Sequence, residues 1–78
     1  MKTKIQVNNI NDIQKINYIV TQYPYDVWIH SDSGMVDAKS ILGLFILGLN
    51  EPMYIVVDDD VDTTKLFKAL KEYMTFLD

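Results

Sequence analysis

Seventy-eight residues, 49% of them hydrophobic and with no compositional break, fit one small domain spanning residues 1–78. Without cysteine there is neither a disulfide framework nor a thiolate metal site, and a reducing cytoplasm is the expected home. A net charge of −4 and the lack of any arginine argue against a nucleic-acid ligand, which usually meets a basic face and bidentate guanidinium groups.

The amino-terminal stretch begins with alternation rather than the apolar block of a secretory signal. Thr3, Ile5 and Val7 alternate with Lys4 and Gln6, which predicts a strand buried on one face. Asn11, with Gln14 three residues on, predicts a helix start. Ile10, Ile13, Ile16, Ile19 and Val20 supply its apolar stripe, and Pro24 ends it. Tyr25, Val27 and Ile29 alternate with Asp26, Trp28 and His30 as a second strand. Ser31-Asp32-Ser33-Gly34 reads as a turn, and Met35 to Ala38 as a short return strand.

Ser40 then stands in a capping position before a short apolar helix expected to close near Gly48. Its run from Ile41 to Leu49 is too short to cross a membrane, so a soluble protein with no membrane association is expected. Asn50-Glu51-Pro52 reads as a turn and Met53 to Val57 as a central strand. Asp58, Asp59, Asp60 and Asp62 bring negative charge to the start of a last helix, whose inward stripe is Leu66, Leu70, Tyr73 and Leu77, with Phe67 and Met74 beside it. The order β-α-β-β-α-β-α predicts an α+β fold, an antiparallel four-stranded sheet with helices on one face.

The segment Val36-Asp37-Ala38-Lys39-Ser40-Ile41-Leu42-Gly43-Leu44-Phe45 resembles the serine motif of HPr, the histidine-containing phosphocarrier of the bacterial sugar phosphotransferase system. That motif runs roughly Val-Asn-Leu-Lys-Ser-Ile-Met-Gly-Val-Met, and Val36, Lys39, Ser40, Ile41 and Gly43 are identical to it. Length and element order extend the resemblance over the whole chain, which implies an HPr-like open-faced β-sandwich.

The family carries phosphate on a histidine in the loop after its first strand, within a Gly-Ile-His-Ala-Arg-Pro type motif. Counting back from Ser40 puts Asn9 at the degenerate phosphohistidine position, with no arginine nearby. An amide is not a nucleophile for phosphoryl transfer. The chain therefore looks closest to the histidine-less catabolite-repression HPr type, which uses the serine alone. The resemblance implies a non-catalytic regulatory or binding module with Ser40 as phosphorylation site. It also implies Lys39, Ile41, Leu42 and Phe45 as a protruding partner surface, and protein partners such as a serine kinase/phosphorylase, a transcription regulator or a metabolic enzyme. Two alternatives stand beside it: a degenerate paralogue with a purely structural or protein-binding role, and a phosphocarrier using a non-standard site, for which His30 is the only imidazole.

Other residues carry weaker signals. The aspartates from Asp58 to Asp62 lack the glycine and terminal glutamate of a calcium loop, so no metal is expected. No Ser/His/Asp set or phosphate-binding glycine loop is present, and neither enzymatic activity nor a cofactor is expected. Asp32-Ser33-Gly34-Met35 is similar to the Asp-Ser-Leu attachment site of acyl carrier proteins, but it falls between two strand-like runs rather than at a helix start. Trp28 and His30 should share the uncovered sheet side with Lys4, Gln6, Tyr54 and Val56. Cross-strand packing of Trp28 with Tyr54 is expected there, and either a monomer or a weak homodimer.

Overall fold

A computed structural model of the chain describes residues 2–47 and 51–73. The strands are β1 (Lys2–Ile5), β2 (Trp28–Ser31), β3 (Gly34–Asp37) and β4 (Met53–Val56); the helices are α1 (Ile10–Val20), α2 (Ile41–Ile46) and α3 (Thr64–Ala69), the last followed by a 3-10 turn at Lys71–Tyr73. The strands form one antiparallel sheet in the order β1-β4-β2-β3. β4 occupies the interior that its β-branched and aromatic sequence suits.

Pairing fixes two alternating sets of rows. Thr3, Ile55, Ile29 and Val36 lie in register, and Ile29 and Ile55 are fully buried. They form one core with Ile13, Ile16 and Val20 of α1, Leu44 of α2 and Leu66 of α3. The flanking rows, Lys2-Val56-Trp28-Asp37 and Lys4-Tyr54-His30-Met35, contain no buried residue. Among the described residues the sheet is thus covered on one side and open on the other. No helix among the described residues is long and apolar enough to cross a membrane.

Several elements begin or end away from their predicted bounds. Asn9, not Asn11, caps α1: its side-chain oxygen accepts the Asp12 N–H at 3.0 Å, while the Asp12 carboxylate accepts the Asn8 N–H at 2.9 Å. A carboxylate three residues after the cap is a stronger acceptor than the Gln14 amide and is favoured in the first turn by the helix dipole. Ile10 then opens the helix and stays 55% exposed instead of joining the core. At 100° per residue it lies about 90° from the centre of the stripe set by Ile13, Ile16 and Val20.

The aspartates also sit differently. Only Asp62 reaches α3, accepting the Thr64 N–H at 3.0 Å and hydroxyl at 2.7 Å, whereas Asp58, Asp59 and Asp60 stay in an exposed turn before it. The last helix is shorter than its stripe suggested. Leu66, Leu70 and Tyr73 are all buried, but beyond Ala69 the chain tightens into the 3-10 turn, which delivers the Tyr73 carbonyl to the Gln6 N–H at 2.6 Å. Leu77 of that stripe, Met74 beside it, the helix end near Gly48 and the turn residue Asn50 lie outside the described residues.

The β2–β3 hairpin turns through Asp32 and Ser33, with Ser31 opposite Gly34. Gly34 has φ +139°, a conformation that favours glycine. No helix starts at Ser33, so the acyl-carrier arrangement is not formed. Its hydroxyl instead donates to Glu51, whose second oxygen accepts the Ser33 N–H at 3.1 Å. Glu51 ties the hairpin tip to the segment leading into β4.

Hydrogen bonding by the Ser33 hydroxyl lowers the Glu51 carboxyl from its ordinary range against an opposing desolvation, with smaller lowering contributions from Ser31 and the Ser33 N–H. A group depressed in the folded state stabilises it fully above the unfolded value of about 4.3, and that stabilisation is lost as pH falls through the lowered folded value. Glu51→Gln should therefore flatten the acid limb of a stability-against-pH curve below about pH 4.5. Urea denaturation at stepped pH measures it; identical acid limbs in the two proteins would refute the tie.

Candidate functional site

The segment from Asp37 to Ser40 turns the chain from β3 into α2 and is pinned from three sides. The Ala38 N–H donates to the Val27 carbonyl at 2.8 Å, the Asn17 amide of α1 donates to the Ala38 carbonyl at 3.0 Å, and the Lys39 ammonium donates to the Tyr23 carbonyl at 2.7 Å. Ala38 itself is fully buried. Asp37 closes the turn by accepting the Lys39 N–H on Oδ1 at 2.9 Å and the Ser40 N–H on its carbonyl at 3.0 Å.

Ser40 emerges from this turn as the N-cap of α2, with extended backbone and an exposed side chain. Its Oγ accepts the Gly43 N–H at 3.2 Å, and its carbonyl accepts the Leu44 N–H at 3.0 Å. Gly43 allows a close approach at this point. A Cβ there would sit 3.3 Å from the Ser40 Oγ and 3.5 Å from the Val36 Cβ, so a methyl group would crowd the capping hydroxyl against the strand.

Beyond the serine the helix divides its apolar residues between two faces. Leu44 and Leu47 are buried, and Ile41, three residues before Leu44, packs half-buried against the core. The expectation that Ile41 protrudes is therefore corrected: positions 41 and 44 share one helix face, and Leu47, the extended C-cap after α2, is buried beside it. Leu42 and Phe45 do protrude, at 74% and 44% exposure, and they are joined by Ile46 at 77% and Ile10 at 55%. Ile10, Ile13, Phe45 and Leu47 line a surface groove of about 240 Å³ between the start of α1 and the end of α2. The positions that sequence reasoning missed, Ile10 and Ile46, were available from helical angles: Ile46 is four residues from Leu42, opposite the Ile41–Leu44 face.

Asn9 lies next to that groove, and its oxygen is occupied as the α1 cap. Lys39 directs its ammonium back to Tyr23, alongside the turn. His30 is not brought near either of them. It occupies the open sheet face between Tyr54 and Met35. The expected Trp28–Tyr54 pairing is also displaced, because Trp28 is directly opposite Val56 and Asp37, while Tyr54 carries Lys2 at 4.6 Å over its ring.

A larger groove of about 370 Å³ runs between α1 and the 3-10 turn, lined by Asn11, Gln14, Lys15, Tyr18, Ile19, Glu72 and Tyr73. It joins amides, one lysine and one carboxylate without a nucleophile and base in contact. Among the described residues no three His, Cys, Asp or Glu side chains are placed to hold a metal ion. The chain matches no protein-family model, no curated protein and no solved structure.

The exposed residues of α2 contribute little burial, so their apolar character is not a requirement of folding. Leu42→Glu and Ile46→Lys should each change the unfolding free energy by under about 0.5 kcal/mol, whereas Leu44→Ala should cost about 2–5 kcal/mol. Chemical denaturation separates the two classes. A large loss at Leu42 or Ile46 would place those side chains in the core.

Proposed function

We propose that this chain is an HPr-like regulatory binding module without catalytic activity, which docks protein partners through Leu42, Phe45, Ile46 and Ile10 and is switched by phosphorylation of Ser40. The observation that supports it is an exposed capping hydroxyl close to exposed apolar side chains that lie outside the buried core. The element order β-α-β-β-α-β-α and the serine motif support the HPr-like reading, and the asparagine at the position of the family's phosphohistidine favours a module that has given up carrier chemistry. Among the described residues the only imidazole stands on the other side of the sheet from the α2 residues.

The chemistry of the switch is electrostatic. Phosphate on Ser40 adds about −1.5 to −2 charges at neutral pH beside a short helix that already directs the Gly43 N–H at this oxygen. The turn beneath is held by Asn17, Asp37 and Lys39, so the fold has no need to rearrange. What changes is the rim of the apolar surface, where like charge repels one class of partner and a basic partner surface gains charge-assisted hydrogen bonds. Transcription regulators and metabolic enzymes of the cytoplasm are the partner classes this reading puts forward.

Incubation with ATP and an HPr-type serine kinase should add one phosphate, mapped to Ser40 by mass spectrometry and lost in Ser40→Ala. That variant should also lose about 1 kcal/mol of stability with its cap. Incubation with phosphoenolpyruvate and the first phosphotransferase enzyme should leave the chain unlabelled. Failure to modify Ser40, or a label on His30, overturns the proposal.

A further inference from the structure

We propose that the open face of the sheet pairs two copies of this chain, face to face, about a twofold axis that runs parallel to the strands between β4 and β2. This inference stands apart from the reading of Ser40. It rests on the order of residues across the face. One row reads Lys2, Val56, Trp28, Asp37 from β1 to β3, and the next reads Lys4, Tyr54, His30, Met35. The face is therefore basic along its β1 edge, aromatic and apolar in the middle, and acidic at one corner of its β3 edge.

Two twofold axes lying in the plane between the sheets are available to an isologous dimer, and charge distinguishes them. An axis perpendicular to the strands lays β1 of one copy over β1 of the other, stacking lysine edge on lysine edge. An axis parallel to the strands lays β1 over β3 of the second copy. Lys2 then faces the second copy's Asp37, Val56 faces its Trp28, Tyr54 faces its His30 and Lys4 faces its Met35, and each contact occurs twice. Like charges are separated, opposite charges meet at the rim, and the aromatic side chains close on one another at the centre. The aligned packing of two such sheets is the usual one for face-to-face sheets.

The size of the face sets the strength. Four strands about 4.8 Å apart, each presenting four residues at about 3.3 Å, span a plane of roughly 250 Å². This is well below the ~800 Å² per partner of a standard interface, so the dimer is weak and concentration-dependent. Lys2 is exposed and already lies inward over Tyr54, at the rim where the pairing needs a cation. A single-stranded nucleic acid stacking on Trp28 and Tyr54 is the competing occupant of an open aromatic face, and the net charge of −4 opposes it.

Sedimentation equilibrium of the full chain between about 10 µM and 1 mM should show a monomer–dimer equilibrium that weakens with added salt. Isotope-filtered NMR on a mixture of labelled and unlabelled chains should give contacts between Trp28 of one copy and Val56 of the other. Lys2→Asp, an exposed change, should weaken the dimer about tenfold, since two rim pairs turn repulsive. Mixing Lys2→Asp with Asp37→Lys should restore association, each retaining its fold by circular dichroism. A chain monomeric throughout, intermolecular contacts mapped to α2 instead, an unchanged dimer in Lys2→Asp, or quenching of Trp28 by an oligonucleotide without self-association would each overturn the proposal.

Discussion

Ile29 and Ile55 lie opposite each other on β2 and β4, both fully buried, and their burial from one side only is the constraint on which the molecule depends. Each such side chain removed from water contributes about 1.5–3 kcal/mol, so a slip of either strand by one residue exchanges that gain for the burial of Trp28, His30 or Tyr54. Fixing this pair inward fixes two whole rows outward. It also demands a cover, which Ile13, Ile16 and Val20 of α1 supply with Leu44 and Leu66. The open face and the helical layer are consequences of the same alternation.

That cover would be loose without the ties that run between segments distant in sequence. Asn17 holds the Ala38 carbonyl, Lys39 holds the Tyr23 carbonyl, Glu51 holds the β2–β3 tip and Gln6 holds the Tyr73 carbonyl. Each links segments at least sixteen residues apart, and each satisfies a backbone group that a short helix or turn leaves unpaired. α2 is only six residues long and has little intrinsic stability as an isolated helix. Its position comes from Ala38 and Leu44 beneath it and from the Ser40 cap before it. A helix held in this way can expose Leu42, Phe45 and Ile46 without unravelling.

The legible parts of the sequence were those governed by period and by a single dominant residue. Alternation over 25–30 and the β-branched, aromatic run at 53–57 marked the central strands and the outward set of Trp28, His30, Tyr54 and Val56, although β2 itself begins only at Trp28. Ser40 before an apolar run gave the α2 cap, and Gly34 marked the hairpin. The misplaced features were those where two candidates of similar chemistry compete. Asn9 and Asn11 are equal as capping residues, and the choice falls on the one whose third neighbour, Asp12, returns a hydrogen bond to Asn8. The aspartates before α3 form a run, and only the one able to reach the Thr64 N–H takes part. Ile41 followed a family pattern, whereas the packing of α2 follows its own i, i+3 face. The long-range ties of Asn17, Lys39 and Glu51 leave no local signature, since their partners are backbone groups or side chains far along the chain.

Two surfaces thus belong to one short chain, and Asp37 touches both. Its carbonyl and Oδ1 build the turn that presents Ser40, while its place beside Trp28 makes it the acidic corner of the open sheet. A change at Asp37 alone therefore does not assign an effect to either surface, whereas its rescue by Lys2→Asp in a mixture does, because those two side chains meet only between two copies. Changes at Lys2 and Leu42 do so singly, because Lys2 lies on β1, at the sheet edge opposite the strand that carries Asp37, and Leu42 lies on α2 with its side chain exposed. A charge placed at Ser40 and a charge reversed at Lys2 act on different rims of the same fold. The chemistry of one is separable from the association of the other by residues that take no part in holding Ile29 against Ile55.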